Sequence, residues 1–371
     1  MKRSNFIPFR LSNCLDIFCL QLVLIMLVLP EEAVSRILRG LTVQDATVLL
    51  DELRSALNSW STQKSTSCHP PRLQQPHRSS LVNEKGDTVL VMPVTRRLTT
   101  GVKVVMVPQA GNINGAITVY GEDGTLHGVL NAAEITAFRT ALATMTLLTR
   151  WSQPEASHLV VFGSGKQAEW HIRLALLLRP EIRQVTVLNR GASRLAEFSS
   201  SVIEDLNNSY PGVNFATVAR ENNNQYSDLL RVTLAEADMI FCCTPSVEPL
   251  FTYDHLASKP PKPRFISLIG SYKPNMREID VQTVKCAGQV YVDCKEACLR
   301  ESGEIRDAAY GPEKLIEIGD LFCNGAAEGL EPKDELTLFK CVGLGVMDLS
   351  ISQALLGIAK KSGVGIQIDS F

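Results

Sequence analysis

The sequence predicts an α/β protein in which a Rossmann-type parallel-sheet domain is inserted into a mixed α+β domain. Two observations carry this prediction. From Ser157 onward, apolar runs alternate with helical segments, which is the pattern of βαβ units. Before residue 150, short strand-like runs follow one another with turns between them. The 371 residues allow two or three domains.

The first part begins with helices and continues with strands. Residues 31–39 are apolar at helical spacing, and Thr42 with Asp45 is typical of the start of a second helix. Residues 61–80 are rich in Ser, Pro, Gln and His and predict a loop. A long helix over residues 134–148 closes this part. Apolar runs between the loop and this helix predict strands over residues 88–92, 102–107, 116–120 and 126–130.

The second part has the order expected of a parallel sheet. Helices follow its first two strands, one ending near Leu178 and the next running from Ser193 to about Leu206. Residues 337–361 predict a single long helix at the end of the chain. Strands are predicted over residues 158–162, 184–188, 237–243, 264–269 and 289–293.

The N-terminus leaves two interpretations open. Residues 20–29 form an apolar run of the length of a signal-peptide core, shorter than the roughly 20 residues of a membrane span. The same run is also consistent with a first strand over residues 26–29, followed by a helix opened by Pro30. We favour the second interpretation, with residues 1–25 as an N-terminal extension and no membrane partner.

Composition excludes several classes of protein. Lys plus Arg is 37 and Asp plus Glu is 39, so the net charge of −2 argues against nucleic acid as a partner. Aromatic residues are only 6%, which argues against a stacking platform for single strands. The ten cysteines show no zinc-ligand spacing, so no metal site is predicted and a reducing, cytoplasmic location is favoured.

A glycine-rich turn between a strand and a helix predicts a dinucleotide site. Gly163 permits the tight turn, Gly165 lets the backbone approach a pyrophosphate, and Ala168 lets the helix pack close to the strand. The N-terminus of that helix offers free N–H groups to the phosphates.

The end of the second Rossmann strand selects the nucleotide. An acidic residue there binds the ribose hydroxyl of NAD, whereas arginine accommodates the 2′-phosphate of NADP. The sequence has Asn189 and Arg190, followed by Ser193 and Arg194, with no carboxylate at the strand end. It therefore favours NADP(H), with NAD(H) as the alternative.

Several segments together resemble the ornithine cyclodeaminase and mu-crystallin family. The resemblance covers nearly the whole chain from about Met26 and includes the loop Gly163-Ser-Gly-Lys-Gln167-Ala168. The other matching segments are Pro71-Arg72, Met92-Pro93, residues 101–105, 114–130, 135–141, 270–280 and 337–343.

The resemblance implies a domain arrangement and a pair of partners. It implies a substrate-binding and dimerisation domain over residues 26–150 plus 325–371, and an NAD(P)-binding Rossmann domain over residues 151–324. The active site would lie in the cleft between them. The expected partners are a small imino or amino acid and a second copy of the chain.

The resemblance also places Arg72, Lys103 and Arg139 in the substrate pocket. A planar guanidinium suits a substrate carboxylate, which Arg139 would bind and Arg72 would share. A lysine close to two arginines is expected to have a lowered pKa, which suits proton exchange with an imine nitrogen. Thr244 and Ser271 stand at the ends of Rossmann strands, where they are expected to orient the nicotinamide.

One departure from the cyclodeaminase pattern bears on the reaction. Tyr272 stands where the cyclodeaminases of this family have an aspartate that acts in cyclisation. The mu-crystallin branch, which reduces cyclic ketimines, also lacks that aspartate. The sequence therefore favours a reductase of the C=N bond of a cyclic ketimine carboxylate. The alternatives are a cyclodeaminase acting on ornithine or lysine, an amino-acid dehydrogenase, and a binding protein without activity.

Overall fold

Two sheets connected by a buried helix form the protein. The computed structural model describes residues 26–63, 72–109, 111, 113–256, 262–288, 290–325, 330 and 336–369. The predicted extension over residues 1–25 lies outside these ranges. Among the described residues, no helix is both long and apolar enough to cross a bilayer.

The elements follow the chain in this order. The strands are β1 (Met26–Leu29), β2 (Leu73–Gln74), β3 (Ser79–Val82), β4 (Thr88–Arg96), β5 (Thr99–Val107), β6 (Asn114–Tyr120), β7 (Leu126–Asn131), β8 (His158–Phe162), β9 (Gln184–Asn189), β10 (Asn214–Ala219), β11 (Met239–Cys242), β12 (Arg264–Leu268), β13 (Val290–Val292), β14 (Leu315–Glu317), β15 (Leu336–Lys340) and β16 (Ile366–Ile368). The helices are α1 (Glu31–Arg39), α2 (Val43–Thr62), α3 (Ala132–Leu148), α4 (Lys166–Leu178), α5 (Ala192–Phe198), α6 (Glu204–Ser209), α7 (Tyr226–Glu236), α8 (Val281–Cys286), α9 (Lys295–Glu301), α10 (Gly303–Asp307) and α11 (Gly345–Ser362).

The first sheet is mixed. Its order is β16-β1-β7-β6-β5-β4-β2, with β3 also paired to β4. Strands β4 to β7 are antiparallel, whereas β1 runs parallel to β7. Because strand side chains alternate between faces, Lys103 and Val105 of β5 point into the core while Val104 and Met106 are exposed.

The second sheet is wholly parallel, in the order β10-β9-β8-β11-β12-β15-β13-β14. The strand order reverses between β8 and β11, where ligands bind at the carboxyl ends of the strands of such a sheet. The predicted fold class is confirmed.

One prediction at the end of the chain is wrong. The sequence predicts a single helix over residues 337–361, but residues 336–340 form β15 in the middle of the second sheet. The helix, α11, begins only at Gly345. The reason is that every residue of β15 is buried, including Thr337 and Lys340, so the strand lacks the alternation of buried and exposed positions that distinguishes a strand in sequence. The division into domains stays a prediction, with β15 now counted with the second sheet.

Helix α3 joins the two halves. It packs against α2 and α11 on one side and against α4 of the Rossmann half on the other. Nearly every residue of α3 is buried, including the charged side chains of Glu134 and Arg139. Asn131 caps its start by accepting a hydrogen bond from the backbone N–H of Glu134. The helix therefore carries Arg139 into the space between the sheets.

Candidate active site

A buried cluster of three charges lies between β5, α3 and α11. The Lys103 Nζ atom is 2.6 Å from Oδ2 of Asp348, and the Arg139 Nε atom donates to Oδ1 of the same carboxylate at 2.9 Å. All three residues are at most 4% exposed. Two cations share one anion, so the cluster has a net positive charge and suits a second, incoming carboxylate.

The environment sets the protonation of Lys103. Burial lowers the pKa of Lys103 to about 8, and the nearby Arg139 and Arg78 charges act in the same direction, while Asp348 opposes them. Burial also disfavours the charged form of Arg139, but Asp348 together with Cys341 and Asp293 outweighs it, so the pKa of Arg139 is raised. The amine of Lys103 is therefore suited to give up a proton near neutral pH, whereas Arg139 stays charged.

A tight loop holds the Arg139 guanidinium in place. Gly343 has φ +93°, and a Cβ atom there would lie 2.7 Å from an Nη atom of Arg139. The backbone N–H of Gly343 donates to Oδ2 of the buried Asp293 at 2.7 Å, which fixes the loop. The position thus needs a residue without a side chain.

Substituting Gly343 tests this close approach. Gly343→Ala is expected to displace the Arg139 guanidinium and to lower kcat/KM about 100-fold, since small misplacements of a positioning group have effects of that size. Gly357→Ala is the matched control, because a Cβ atom at that helical position meets nothing within 4 Å. Steady-state kinetics of both variants measure the effect, and equal activity of the two would contradict it.

A cavity of about 270 Å³ lies beside the charged cluster. Its lining includes Met92, which is the strand partner of Lys103, and Gly343, against which Arg139 packs. Arg78 also lines it, forms an ion pair with Glu301 across the two halves, and donates to the Tyr272 carbonyl oxygen at 3.3 Å. The cavity therefore joins the first sheet to the Rossmann half.

The structure does not bring Arg72 into this site. Arg72 is exposed, and its described contact is a backbone hydrogen bond in which its carbonyl oxygen accepts from Arg97 at 2.6 Å. Arg78 stands in the cavity instead. The role of Arg72 in substrate binding therefore stays a prediction, and the polar loop before β3 gives no periodic signal from which the orientation of either arginine could be read.

The glycine-rich turn has the predicted geometry. Gly163 has φ +115°, and a Cβ atom there would meet the Cys243 carbonyl oxygen and Thr244 Cγ2 at 3.1 Å. Gly165 is the N-cap of α4 and has open space beside it, while Ala168 is fully buried against the sheet. This cradle fits a pyrophosphate at the helix N-terminus.

The side-chain amide oxygen of Gln167 is buried and has no hydrogen-bond partner among the described residues. The backbone carbonyl oxygen of Gln167 accepts from His171 Nδ1 at 2.7 Å. Since a buried polar atom without a partner is costly, the side-chain oxygen also indicates a place where a bound group belongs.

A second cavity, of about 400 Å³, lies at the carboxyl ends of β8, β9 and β11. Arg190, Arg194 and Arg220 line it, as do Asn189 and Thr244. Ser193 is exposed on the first turn of α5, outside the lining. Three guanidinium groups around one cavity suit a phosphate.

Two residues of this cavity region are absent from the sequence prediction. Arg220 and Glu221 follow β10, which pairs in parallel with β9, so both reach the same sheet edge. Oε2 of Glu221 accepts from the backbone N–H of Ala192 at 2.9 Å. The sequence could have indicated both residues, because neighbouring parallel strands end at the same edge of a sheet and β10 precedes Arg220 and Glu221 directly.

Thr244 and Ser271 have different surroundings. Thr244 lines the larger cavity, and its hydroxyl oxygen is buried with no hydrogen-bond partner among the described residues. Ser271 is fully buried, and its hydroxyl donates to Oε1 of Glu304. Thr244 therefore lies at the cavity, whereas Ser271 is buried away from it, and a role of either residue in cofactor binding stays a prediction.

A dinucleotide cradle beside a buried cationic pocket defines the class of nicotinamide-dependent oxidoreductases. The chain belongs to the ornithine cyclodeaminase/mu-crystallin family, whose sequence model matches residues 35–361. The predicted family is thereby confirmed.

Individual relatives agree with this assignment. An uncharacterized protein of Saccharomyces cerevisiae is 32% identical over 318 residues, which are 74% of this chain and 82% of that protein. A Delta(1)-pyrroline-2-carboxylate reductase of Bacillus thuringiensis is 29% identical over 310 residues, 79% of this chain and 89% of that one. The solved structure of Thermococcus litoralis Delta(1)-pyrroline-2-carboxylate reductase with NADH and L-proline has a TM-score of 0.75 at 20% identity and covers 92% of this chain and 100% of that chain.

Proposed function

We propose that this protein reduces the C=N bond of a cyclic ketimine carboxylate to give a cyclic amino acid, with a reduced nicotinamide as hydride donor. The observation that carries the proposal is the buried Lys103–Asp348–Arg139 cluster beside a cavity that reaches the Rossmann half. The sequence-based prediction of a C=N reductase is borne out by the reductases among its relatives.

Each residue of the pocket has a chemical role in this reaction. Arg78 and Arg139 hold the substrate carboxylate, so Arg78 takes the role that the sequence gave to Arg72. The ammonium of Lys103 donates a proton to the imine nitrogen, which makes the imine carbon more electrophilic. The nicotinamide, when bound, supplies the hydride. Asp348 keeps Lys103 and Arg139 in place and balances part of their charge.

The same geometry disfavours cyclodeamination. Burial raises the pKa of Tyr272, so this phenol stays neutral and is not a base for an attacking amine. Glu301, a carboxylate of the cavity, is paired with Arg78. An amino-acid dehydrogenase would run the proposed reaction in reverse and uses the same residues.

A substrate panel tests the proposed function. The purified protein is given NADPH with five- and six-membered cyclic ketimine carboxylates, and separately ornithine or lysine with NAD. We expect NADPH to be consumed with the ketimines and no ammonia above background from the diamino acids. Steady release of ammonia with formation of proline or pipecolate would contradict the proposal.

NADP(H) is proposed as the preferred cofactor. Arg190, Arg194 and Arg220 converge on one cavity, which supports binding of a 2′-phosphate, whereas Glu221 at the same edge is engaged with a backbone N–H.

Titration of the two cofactors measures the preference. We expect NADPH to bind at least about tenfold more tightly than NADH, which corresponds to about 1.4 kcal/mol. Arg190→Asp is expected to reverse this order, because its carboxylate repels the 2′-phosphate and accepts from the ribose hydroxyl. The exposed Arg231 of α7 provides a control, Arg231→Asp, that should leave both affinities unchanged. Equal affinity of the wild type for both cofactors would refute the preference.

A homodimer is proposed through the outer face of the first sheet. Val91 pairs with Val104, and Pro93 pairs with Val102, across β4 and β5. These apolar side chains lie on the face opposite Lys103 and the core, and Val104 and Met106 are 42% and 40% exposed. An apolar face of this kind suits a second copy of the chain.

A charge on that face tests the dimer. Val104→Asp is expected to convert a dimer into a monomer, because the interface would have to bury an unpaired carboxylate. Val232→Asp is the matched control, since Val232 is 57% exposed on α7 of the other half. Light scattering after gel filtration gives the masses. A dimeric Val104→Asp variant, or a monomeric wild type, would contradict this interface.

A cytoplasmic location is also proposed. Cys242, Cys243, Cys286, Cys298 and Cys341 are free thiols, and three of them, Cys242, Cys298 and Cys341, are buried. Free thiols are typical of a reducing compartment.

A further inference from the structure

A buried lysine without a part in the proposed reaction lies at the cofactor edge of the second sheet. Lys340 ends β15, and its side chain is fully buried. Its ammonium donates to the carbonyl oxygen and to the hydroxyl of Ser271, and lies 3.4 Å from Oε1 of Glu304. The Ser271 hydroxyl donates to that same Glu304 oxygen. A charge in such a position is costly unless its partners need it there.

A second buried carboxylate holds the neighbouring loop. Glu278 accepts from the backbone N–H of Thr244 through Oε1 and from that of Gly270 through Oε2, each at 2.9 Å. Thr244 follows β11, and Gly270 follows β12. One carboxylate thus ties together the loops at the ends of two adjacent strands.

These loops are in direct contact with the dinucleotide turn. A Cβ atom at Gly270 would lie 2.0 Å from the Thr244 carbonyl oxygen, and one at Gly163 would lie 3.1 Å from Thr244 Cγ2. The three loops therefore pack one on another along the carboxyl edge. That edge includes the reversal of strand order between β8 and β11, where a dinucleotide binds.

The charges of this network depend on one another. Burial disfavours the ammonium of Lys340, but its neighbours, Glu304 and Glu278 first among them, together outweigh this and raise the pKa of Lys340. Burial raises the pKa of Glu278 to about 8, and Lys340 opposes that rise. Loss of Lys340 would remove the cation that the two buried acids Glu304 and Glu278 share, so these acids and the loops that they hold would have to rearrange.

We propose that Lys340 is a positioning residue for the cofactor: through Ser271, Glu304 and Glu278 it fixes the Thr244 and Gly270 loops in the arrangement that receives the nicotinamide end. The inference rests on the proposed use of a nicotinamide cofactor, but not on the identity of the imine. Ser271 accordingly acts from beneath the loop and does not touch the cofactor.

Cofactor binding without substrate tests the proposal. Lys340→Met is expected to weaken NADPH binding at least about tenfold, measured by the change in NADPH fluorescence, and to lower kcat while changing the KM for the imine less than about twofold. Binding of 2′-phospho-ADP-ribose, which lacks the nicotinamide, should weaken less than about threefold. The double variant K340M/E304Q, which removes a cation and an anion together, should recover part of the NADPH affinity.

A matched control separates positioning from general stability. Arg264 is also a buried cation of this sheet, but it stands at the start of β12 and donates to the carbonyl oxygens of Ala235 and Ala237 at the opposite edge. Arg264→Met should lower the Tm and leave the NADPH affinity within about twofold of the wild type.

Two outcomes would overturn the proposal. One is a folded Lys340→Met variant that binds NADPH as the wild type does. The other is an equal loss of affinity for NADPH and for 2′-phospho-ADP-ribose. If Lys340→Met does not fold, Ser271→Ala replaces it, since this variant removes the hydroxyl that accepts from Lys340 and donates to Glu304, and it keeps the hydrogen bond from Lys340 to the backbone carbonyl oxygen without leaving a charge unpaired. A wild-type NADPH affinity in Ser271→Ala would then refute the positioning role. Failure of the proposed reaction alone would appear as tight NADPH binding with no imine turnover, and would leave the binding results standing.

Discussion

Replacing Lys103 with methionine is expected to lower kcat by about 100- to 10,000-fold, the range typical of a lost general acid. Lys103 is buried, and in the proposed reaction its ammonium is the proton donor, whereas methionine fills similar space without a proton to give. The KM for the imine should change much less, because Arg78 and Arg139 still bind the carboxylate. Lys314→Met, at an exposed position, serves as the control and should behave as the wild type.

The pH dependence gives this prediction a second readout. Burial lowers the pKa of Lys103 to about 8, so the protonated donor is present below that pH and is lost above it. In the wild type, kcat/KM for the imine should fall as pH rises through about 8. In Lys103→Met the remaining activity should follow only the protonation of the free imine. Identical pH profiles in the two proteins would exclude Lys103 as the donor.

Asp348→Asn is expected to destabilise the protein by about 3–5 kcal/mol, the usual cost of breaking a buried ion pair. The asparagine is nearly isosteric, but it leaves Lys103 and Arg139 without a counter-charge in a buried site. The pKa of Lys103 should also fall further, since Asp348 is the partner that raises it. The upper limit of the activity range would therefore move to lower pH.

Chemical denaturation of Asp348→Asn and of a surface variant measures this effect. Asp205 pairs with Arg173, and its side chain is 48% exposed, so Asp205→Asn should cost at most about 1 kcal/mol. If Asp348→Asn lowers the free energy of unfolding no more than Asp205→Asn does, the buried cluster contributes little to stability.

The sequence predicted the fold correctly where the pattern of apolar residues was clear. The strands β8, β9 and β12 are short apolar runs bounded by turns, and the sequence predicts all three close to their observed limits. The strand β15 was missed because residues 336–340 are buried on both faces and are followed, after a short loop, by helix α11. In such a run, no alternation distinguishes strand from helix.

The sequence predicted only part of the candidate site, for a different reason. Lys103 and Arg139 stand inside regular elements, where a charge among apolar residues is conspicuous. Asp348 was missed because it is 245 residues from Lys103 in sequence and only the fold brings α11 beside β5. Arg78 was missed because loop residues carry no periodic signal.

The most direct test of the proposed reaction is to trace the hydride from NADPH into the product. The protein is given a cyclic ketimine carboxylate and NADPH that carries deuterium at both positions of the nicotinamide C4 atom, and the product is analysed by mass spectrometry. We expect a cyclic amino acid with one deuterium on the ring carbon that bears the carboxylate, in equal amount to the NADPH oxidised. A product without deuterium, or ornithine converted to proline with release of ammonia, would contradict it.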